Sequence, residues 1–139
     1  MTMQIADAFV GLRVIEFAQG VAAPYCGLLL GRNGADVIKV EPPVKGDWCR
    51  GLGLRKGDFS SEFIVLNRGK KSLALDMKSP DGRAAAFKLA SNADVIIENY
   101  RPSVTKRLGV DYAAVAAVNP RVVYASVTGF GRTGPNSKM

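Results

Sequence analysis

Three observations on this 139-residue chain predict an α/β fold, a mostly parallel sheet with helices on both faces. Short β-branched runs recur along it: Arg13-Val14-Ile15-Glu16-Phe17, Asp36-Val37-Ile38-Lys39-Val40, Asp94-Val95-Ile96-Ile97-Glu98 and Arg121-Val122-Val123-Tyr124-Ala125-Ser126-Val127. Between them lie segments with helix start and stop residues. The first two runs are joined through one such segment within about thirty residues, the length of a βαβ unit. A crossover of that kind returns the chain parallel to its first strand, and parallel strands need cover on both faces.

Arg13 to Phe17 reads as a buried strand, followed by a Gly/Ala turn and a helix that Pro24 starts at its first position, where a missing N–H costs nothing. That helix runs to about Asn33 with Gly34 as its stop, and Asp36 to Val40 is a second strand ended by Glu41-Pro42-Pro43. From Val44 to Asp58 glycine and charge dominate, which predicts a long surface loop with Trp48 as its only large anchor. Phe59 to Leu66 is apolar but fits helix and strand equally, whereas Ser72 to Asp76 alternates as a strand does. Ser79 caps a helix with Pro80 first and Arg83 to Ala90 as its body, closed by Ser91-Asn92. After the strand Asp94 to Glu98, a short helix from Pro102 to Leu108 stops at Gly109. Another starts with Asp111 as N-cap and runs to Val118, Asn119-Pro120 ends it, and Arg121 to Val127 is the last strand. The alternation is that of a Rossmann-like layer.

Composition sets bounds. A chain of this length buries roughly two thirds of the surface it exposes when unfolded, so one domain with a real core is expected. No apolar run approaches the roughly 20 residues that span a bilayer, and Met1 to Val10 shows no basic segment followed by an apolar one, so the reading is cytoplasmic with no membrane partner. Cys26 and Cys49 are read as free thiols. With no histidine, a histidine general base, a catalytic triad and most zinc sites are excluded within the chain. Of the net charge of +7, the stretch from Arg101 onward holds +5, with Arg101, Lys106, Arg107, Arg121, Arg132 and Lys138 against Asp111 alone. Such asymmetry points to a polyanionic partner, nucleic acid or a phosphorylated small molecule.

Asn67 to Lys78 packs Arg68, Lys70, Lys71 and Lys78 around a short apolar strand and leads into the helix start at Ser79-Pro80. Cations and free helix N–H groups at one strand end make an anion site; a solvated basic loop beside an edge strand is the plainer alternative. Gly129-Phe130-Gly131-Arg132-Thr133-Gly134 spells G-x-G-x-x-G after a strand but lacks the helix and the later acid that a dinucleotide site needs. Gly51 to Gly57 lacks the ending of a phosphate loop. Glu98-Asn99-Tyr100 stands at the carboxyl end of a parallel strand, the side on which such sheets bind ligands, with capping as an equal alternative for Asn99. Structural roles are expected for Glu16, Asp36, Glu41, Asp47, Asp76 and Glu98, with Glu41 pairing to Lys39 or an arginine.

Taken together, Gly11-Leu12-Arg13-Val14-Ile15-Glu16, Ala23-Pro24, Gly34 to Pro42, Asn67 to Ser72 with Leu75-Asp76-Met77-Lys78, Asp94 to Pro102 with Leu108-Gly109, Asn119-Pro120-Arg121 and Gly129 to Pro135 form an ordered series. The series closely resembles the N-terminal part of the class III coenzyme A transferases, the family of formyl-CoA transferase and carnitine CoA-transferase, with the α-methylacyl-CoA racemases as cousins. It runs over nearly the whole chain. Two departures stand out: Pro42 where family members often carry a cation, and Ala23 where glycine is common.

The resemblance implies an incomplete part of a larger subunit, residues 1–139 forming an N-terminal Rossmann-like domain. It implies coenzyme A or an acyl-CoA as substrate, a carboxylic acid as acceptor, no prosthetic group, no metal and no nucleic acid. Contacts with coenzyme A are implied at Val21, Ala22, Leu75, Asp76, Met77, Lys78, Asn99, Tyr100, Arg101 and Arg107. The implied reaction exchanges coenzyme A between a thioester and a carboxylic acid through an aspartate that forms a mixed anhydride and then its own thioester. That aspartate is expected beyond Met139, so no catalytic residue is assigned here. Family chains are longer and pair as interlinked dimers. A homodimer is therefore expected of the full-length form, and these residues, as a truncated product or one lobe of a split protein, are expected to be inactive alone. The long Val44 to Ser61 segment favours transferase over racemase. The rivals are a basic nucleic-acid-binding module and a dinucleotide-dependent oxidoreductase.

Overall fold

A computed structural model describes residues 7–57 and 59–137. Lys138, among the C-terminal cations above, Asp58 at the end of the expected loop, and most of the N-terminal segment lie outside it. Five strands form one sheet, β1 (Arg13–Phe17), β2 (Asp36–Glu41), β5 (Lys71–Ala74), β6 (Val95–Glu98) and β7 (Val123–Ser126), in the order β5-β2-β1-β6-β7. Every neighbouring pair is parallel, with Val14 opposite Val37 and Val95, and Ile96 opposite Tyr124. β3 (Arg55–Lys56) and β4 (Phe59–Ser60) make a separate antiparallel hairpin.

Helices cover both faces, as the crossovers require. On one face α1 (Ala22–Arg32) brings Ala23, Cys26 and Leu30 onto Val14, Val37 and Ile97, and α2 (Ser61–Asn67) packs beside it. On the other, α3 (Pro80–Ser91) and α5 (Tyr112–Ala116) bring Ala86, Ala90 and Val115 onto Ile15, Phe17 and Ile96. α4 (Pro102–Leu108) ends at Gly109 and leads to buried Val110. The central strand β1 is therefore buried on both faces, which explains its unbroken apolar run. Both sheet edges are more open: all four residues of β5 are exposed, as is Val123 on β7.

Several expectations are corrected. α1 begins two residues before Pro24, because the first N–H groups of a helix have no partner and a proline fits anywhere in that turn. In Val44 to Asp58 the large anchor Trp48 is 55% exposed and only one edge of its ring lies against Gly20; the buried anchors are Asp47 and Cys49 at a 3-10 turn (Trp48–Gly51), and the segment contains half of the β3–β4 hairpin. The ambiguous Phe59 to Leu66 splits into β4 and α2, because Ser60 accepts from the Phe63 N–H and caps the helix. Asp111 sits at the N-cap of α5 but makes no side-chain cap bond, and that helix closes at Ala116. Among the described residues no helix is long and apolar enough to cross a membrane.

Candidate functional site at the carboxyl rim of the sheet

The chain leaves β1 toward β2 and β5 on one side, then crosses to β6 and β7 on the other. A crevice therefore opens where the loops after β1 and β6 part, the place where open parallel sheets take ligands. Beside it lies a cleft of about 460 Å³. Leu75, Asp76, Met77, Lys78, Tyr100 and Arg107, six of the expected residues, line it together with Gln19, Glu41, Pro42, Pro43, Arg83 and Val104. A second depression of about 360 Å³ holds Ala22, Asn99 and Arg101 with Val127, Thr128 and Gly129, and Tyr100 lines both. Val21 is set apart, on a shallow hollow against Ser61, Glu62, Val65 and Leu66 of α2.

Local chemistry builds the cleft. The turn after β5 is closed by Asp76, whose Oδ1 accepts from the Lys78 N–H at 3.0 Å, and α3 follows at once with Ser79 accepting from the Gly82 N–H at 3.0 Å. Arg83 donates to the Lys78 carbonyl at 2.7 Å, so its guanidinium is held against the turn that carries Lys78, and both residues line the cleft. With Arg107 from α4 these make a cationic rim over walls of Val40, Pro42, Pro43, Leu75, Met77 and Leu108. Burial pushes the Tyr100 phenol above its ordinary range. Val44, in the turn after the cleft-lining Pro43, holds φ at +67°, a strained conformation for a β-branched residue.

The cations of Asn67 to Lys78 do not act as one group. Lys70 is buried and bonds Glu16 Oε2, the Pro24 carbonyl and Asn67 Oδ1 at 2.7, 2.7 and 2.9 Å. Lys71 pairs with Asp36 at the opposite end of the sheet. Only Lys78 reaches the cleft. The reason is geometric, since Lys71 opens β5 whereas Lys78 follows its end.

Each buried carboxylate is engaged. Glu16 bridges Lys39 and Lys70; Asp47 pairs with Lys39 at 2.8 Å; Glu98 accepts from the Tyr100 N–H and pairs with Arg132. Of the two partners expected for Glu41, the arginine is the one found: Arg50 binds it through both Nε and Nη2, with Ser72 and the Asp47 N–H adding bonds. Burial raises the Glu41 pKa, but the Arg50, Asp47 and Ser72 hydrogen bonds outweigh it and hold the value at about 2. Asn99 spends its amide on the backbone, accepting from the Gln19 N–H at 3.0 Å and donating to the Gln19 carbonyl at 2.7 Å.

Gln19, Arg83 and Val104 were missed by the sequence reading. Gln19 had a readable signal, its place just past the end of β1. Arg83 and Val104 come to the cleft only through helix packing.

Over residues 9–139 the chain matches the family described as CoA-transferase family III. It is similar to the succinate–glutarate CoA-transferase of Agrobacterium fabrum (42% identical over 132 residues, 90% of this chain and 33% of the relative). It is also similar to the acetyl-CoA:oxalate CoA-transferase of Acetobacter aceti (44% identical over 127 residues, 91% and 33%). The crystal structure of a CAIB/BAIF family protein from Brucella suis superposes with a TM-score of 0.88 at 39% identity, covering 94% of this chain and 36% of that one. The chain thus spans about a third of the length of the curated relatives it matches.

Proposed function

The chain belongs to CoA-transferase family III, and on that premise we propose that its residues supply the coenzyme A binding part of an acyl-CoA:carboxylate CoA-transferase. One observation carries the reading: a single cleft at the carboxyl end of a parallel sheet joins apolar walls to a rim of Lys78, Arg83 and Arg107. Coenzyme A matches that pattern, an aromatic base and an uncharged arm joined by phosphates, and cations form charge-assisted bonds to phosphate oxygens. The neighbouring depression, sharing Tyr100, gives the long ligand somewhere to continue. Among the described residues the two carboxylates lining the cleft have structural partners, Asp76 closing its own turn and Glu41 held by Arg50. The chain's part in the reaction is binding and orientation, with a carboxylic acid as acceptor, a homodimer as the full-length assembly and the cytoplasm as its compartment. Relatives named for coenzyme A exchange support transfer over epimerisation.

Isothermal titration with coenzyme A tests the reading. Binding is expected, with Lys78→Ala and Arg107→Ala each weakening it by about 1 to 3 kcal/mol. Unchanged affinity in both variants removes the site assignment, and no heat of binding at millimolar ligand by a folded sample removes the function.

A further inference from the structure

Between β1 and α1 the backbone makes no regular pairing, yet side chains from other elements hold residue after residue. Lys39 donates to the Ala18 carbonyl at 2.7 Å, Asn99 takes both polar groups of Gln19, and Asp47 Oδ1 accepts from the Gly20 N–H at 3.0 Å. Gly20 has φ +80°, and the Trp48 ring lies so close to it that a Cβ there would overlap Cζ2. This turn faces three cavities in succession, through Gln19, Val21 and Ala22. Its path therefore decides how those walls stand relative to one another.

We propose that Asp47 and Trp48 are positioning residues that clamp Gly20 and so set the β1–α1 turn for coenzyme A, an inference that rests on the binding role proposed above. Asp47 is itself fixed from two sides, its carboxylate by Lys39 at 2.8 Å and its N–H by Glu41 at 2.9 Å. Arg50 ties the same short segment to Glu41 and lies 3.6 Å over the Phe63 ring. The segment is thus braced against β2 and α2 before it touches the turn. A braced acceptor keeps the Gly20 amide in one direction, and a loop ordered beforehand loses less entropy on binding.

The test separates the hydrogen bond from the charge. Asp47→Asn keeps an oxygen for the Gly20 N–H but loses the charge that pairs with Lys39, whereas Asp47→Ala loses both. Urea unfolding is expected to show both variants less stable. Coenzyme A affinity of the folded samples is expected to stay within about threefold for Asp47→Asn and to fall at least about tenfold for Asp47→Ala, the span of one charge-assisted bond. Affinity that follows stability in both variants, or is unchanged in Asp47→Ala, overturns the proposal. If Asp47→Ala does not fold, the exposed Trp48 supplies the second arm. Trp48→Ala is expected to weaken coenzyme A binding and to speed hydrogen exchange at the Gly20 amide, with the β1 and β6 amides unchanged. Unchanged Gly20 exchange in that variant overturns the clamp. Should the unmutated chain bind no coenzyme A, the functional reading falls alone, and Gly20 exchange in Trp48→Ala still decides whether the clamp exists.

Discussion

Gly27 lies on α1 directly above the buried Glu16–Lys70 pair, where an added methyl group would overlap Glu16 Oε2 and press on the Lys70 ammonium. The helix comes this close only because the residue has no side chain. Gly27→Ala is expected to cost about 1 to 3 kcal/mol in urea unfolding, the range for overpacking a filled interior; an unchanged midpoint would show that the pair can move aside. Lys70 illustrates the balance beneath: burial pushes its pKa down, and the Glu16 carboxylate restores part of the loss. A structural role for Glu16 and Asp47 was legible in the sequence, as was an arginine partner for Glu41. That Lys70 would be spent inside was not. A lysine in a basic run looks solvated until a carboxylate far along the chain is folded against it.

Loops and helix ends account for the next scale. Ser79, Pro80 and Asn92 bound α3 where the local signals put them, because a cap depends on residues adjacent in sequence. The Val44 to Asp58 segment was legible only in part, for the opposite reason: beside Trp48 its buried anchors are an aspartate and a cysteine, whose burial comes from elements distant in sequence. Within it Val44 holds a left-handed conformation that glycine adopts freely. Val44→Gly is therefore expected to raise stability by about 1 kcal/mol in thermal unfolding, and a loss of that size would mean the valine side chain has a partner. Glu41, which ties β2 to this segment and to Ser72 of β5, gives the element a pH dependence. Its folded pKa of about 2 lies below the ordinary 4.5, so its contribution is complete above about 4.5 and is lost as the pH falls toward about 2. Unfolding midpoints from pH 6 to pH 2.5 are expected to show the loss, and Arg50→Met is expected to show less of it.

Across the whole molecule the positive charge is sorted by depth. Lys39 and Lys70 are neutralised in the interior, whereas Lys78, Arg83 and Arg107 stand at the cleft. Exposed cations are screened by salt, and the screening length falls from about 30 Å at 0.01 M to about 3 Å at 1 M. Coenzyme A affinity is expected to fall several-fold over that range, and titrations in sodium chloride that show no slope would place the phosphates away from the rim. The strand order and the gathering of six expected residues in one cleft share a cause in the crossovers, which put every loop after a strand at the same end of the sheet. By itself the sequence determined the type and order of the principal strands and helices and membership of the family, because β-branched runs, caps and ordered motifs act over a few residues. Only the tertiary structure decided which charges are consumed and which remain for a ligand, that Val21 turns toward α2, and that Asn99 is committed to Gln19. The charge and amide pairings among those outcomes depend on partners 23, 54 and 80 residues away and on the desolvation that comes only when they close over one another.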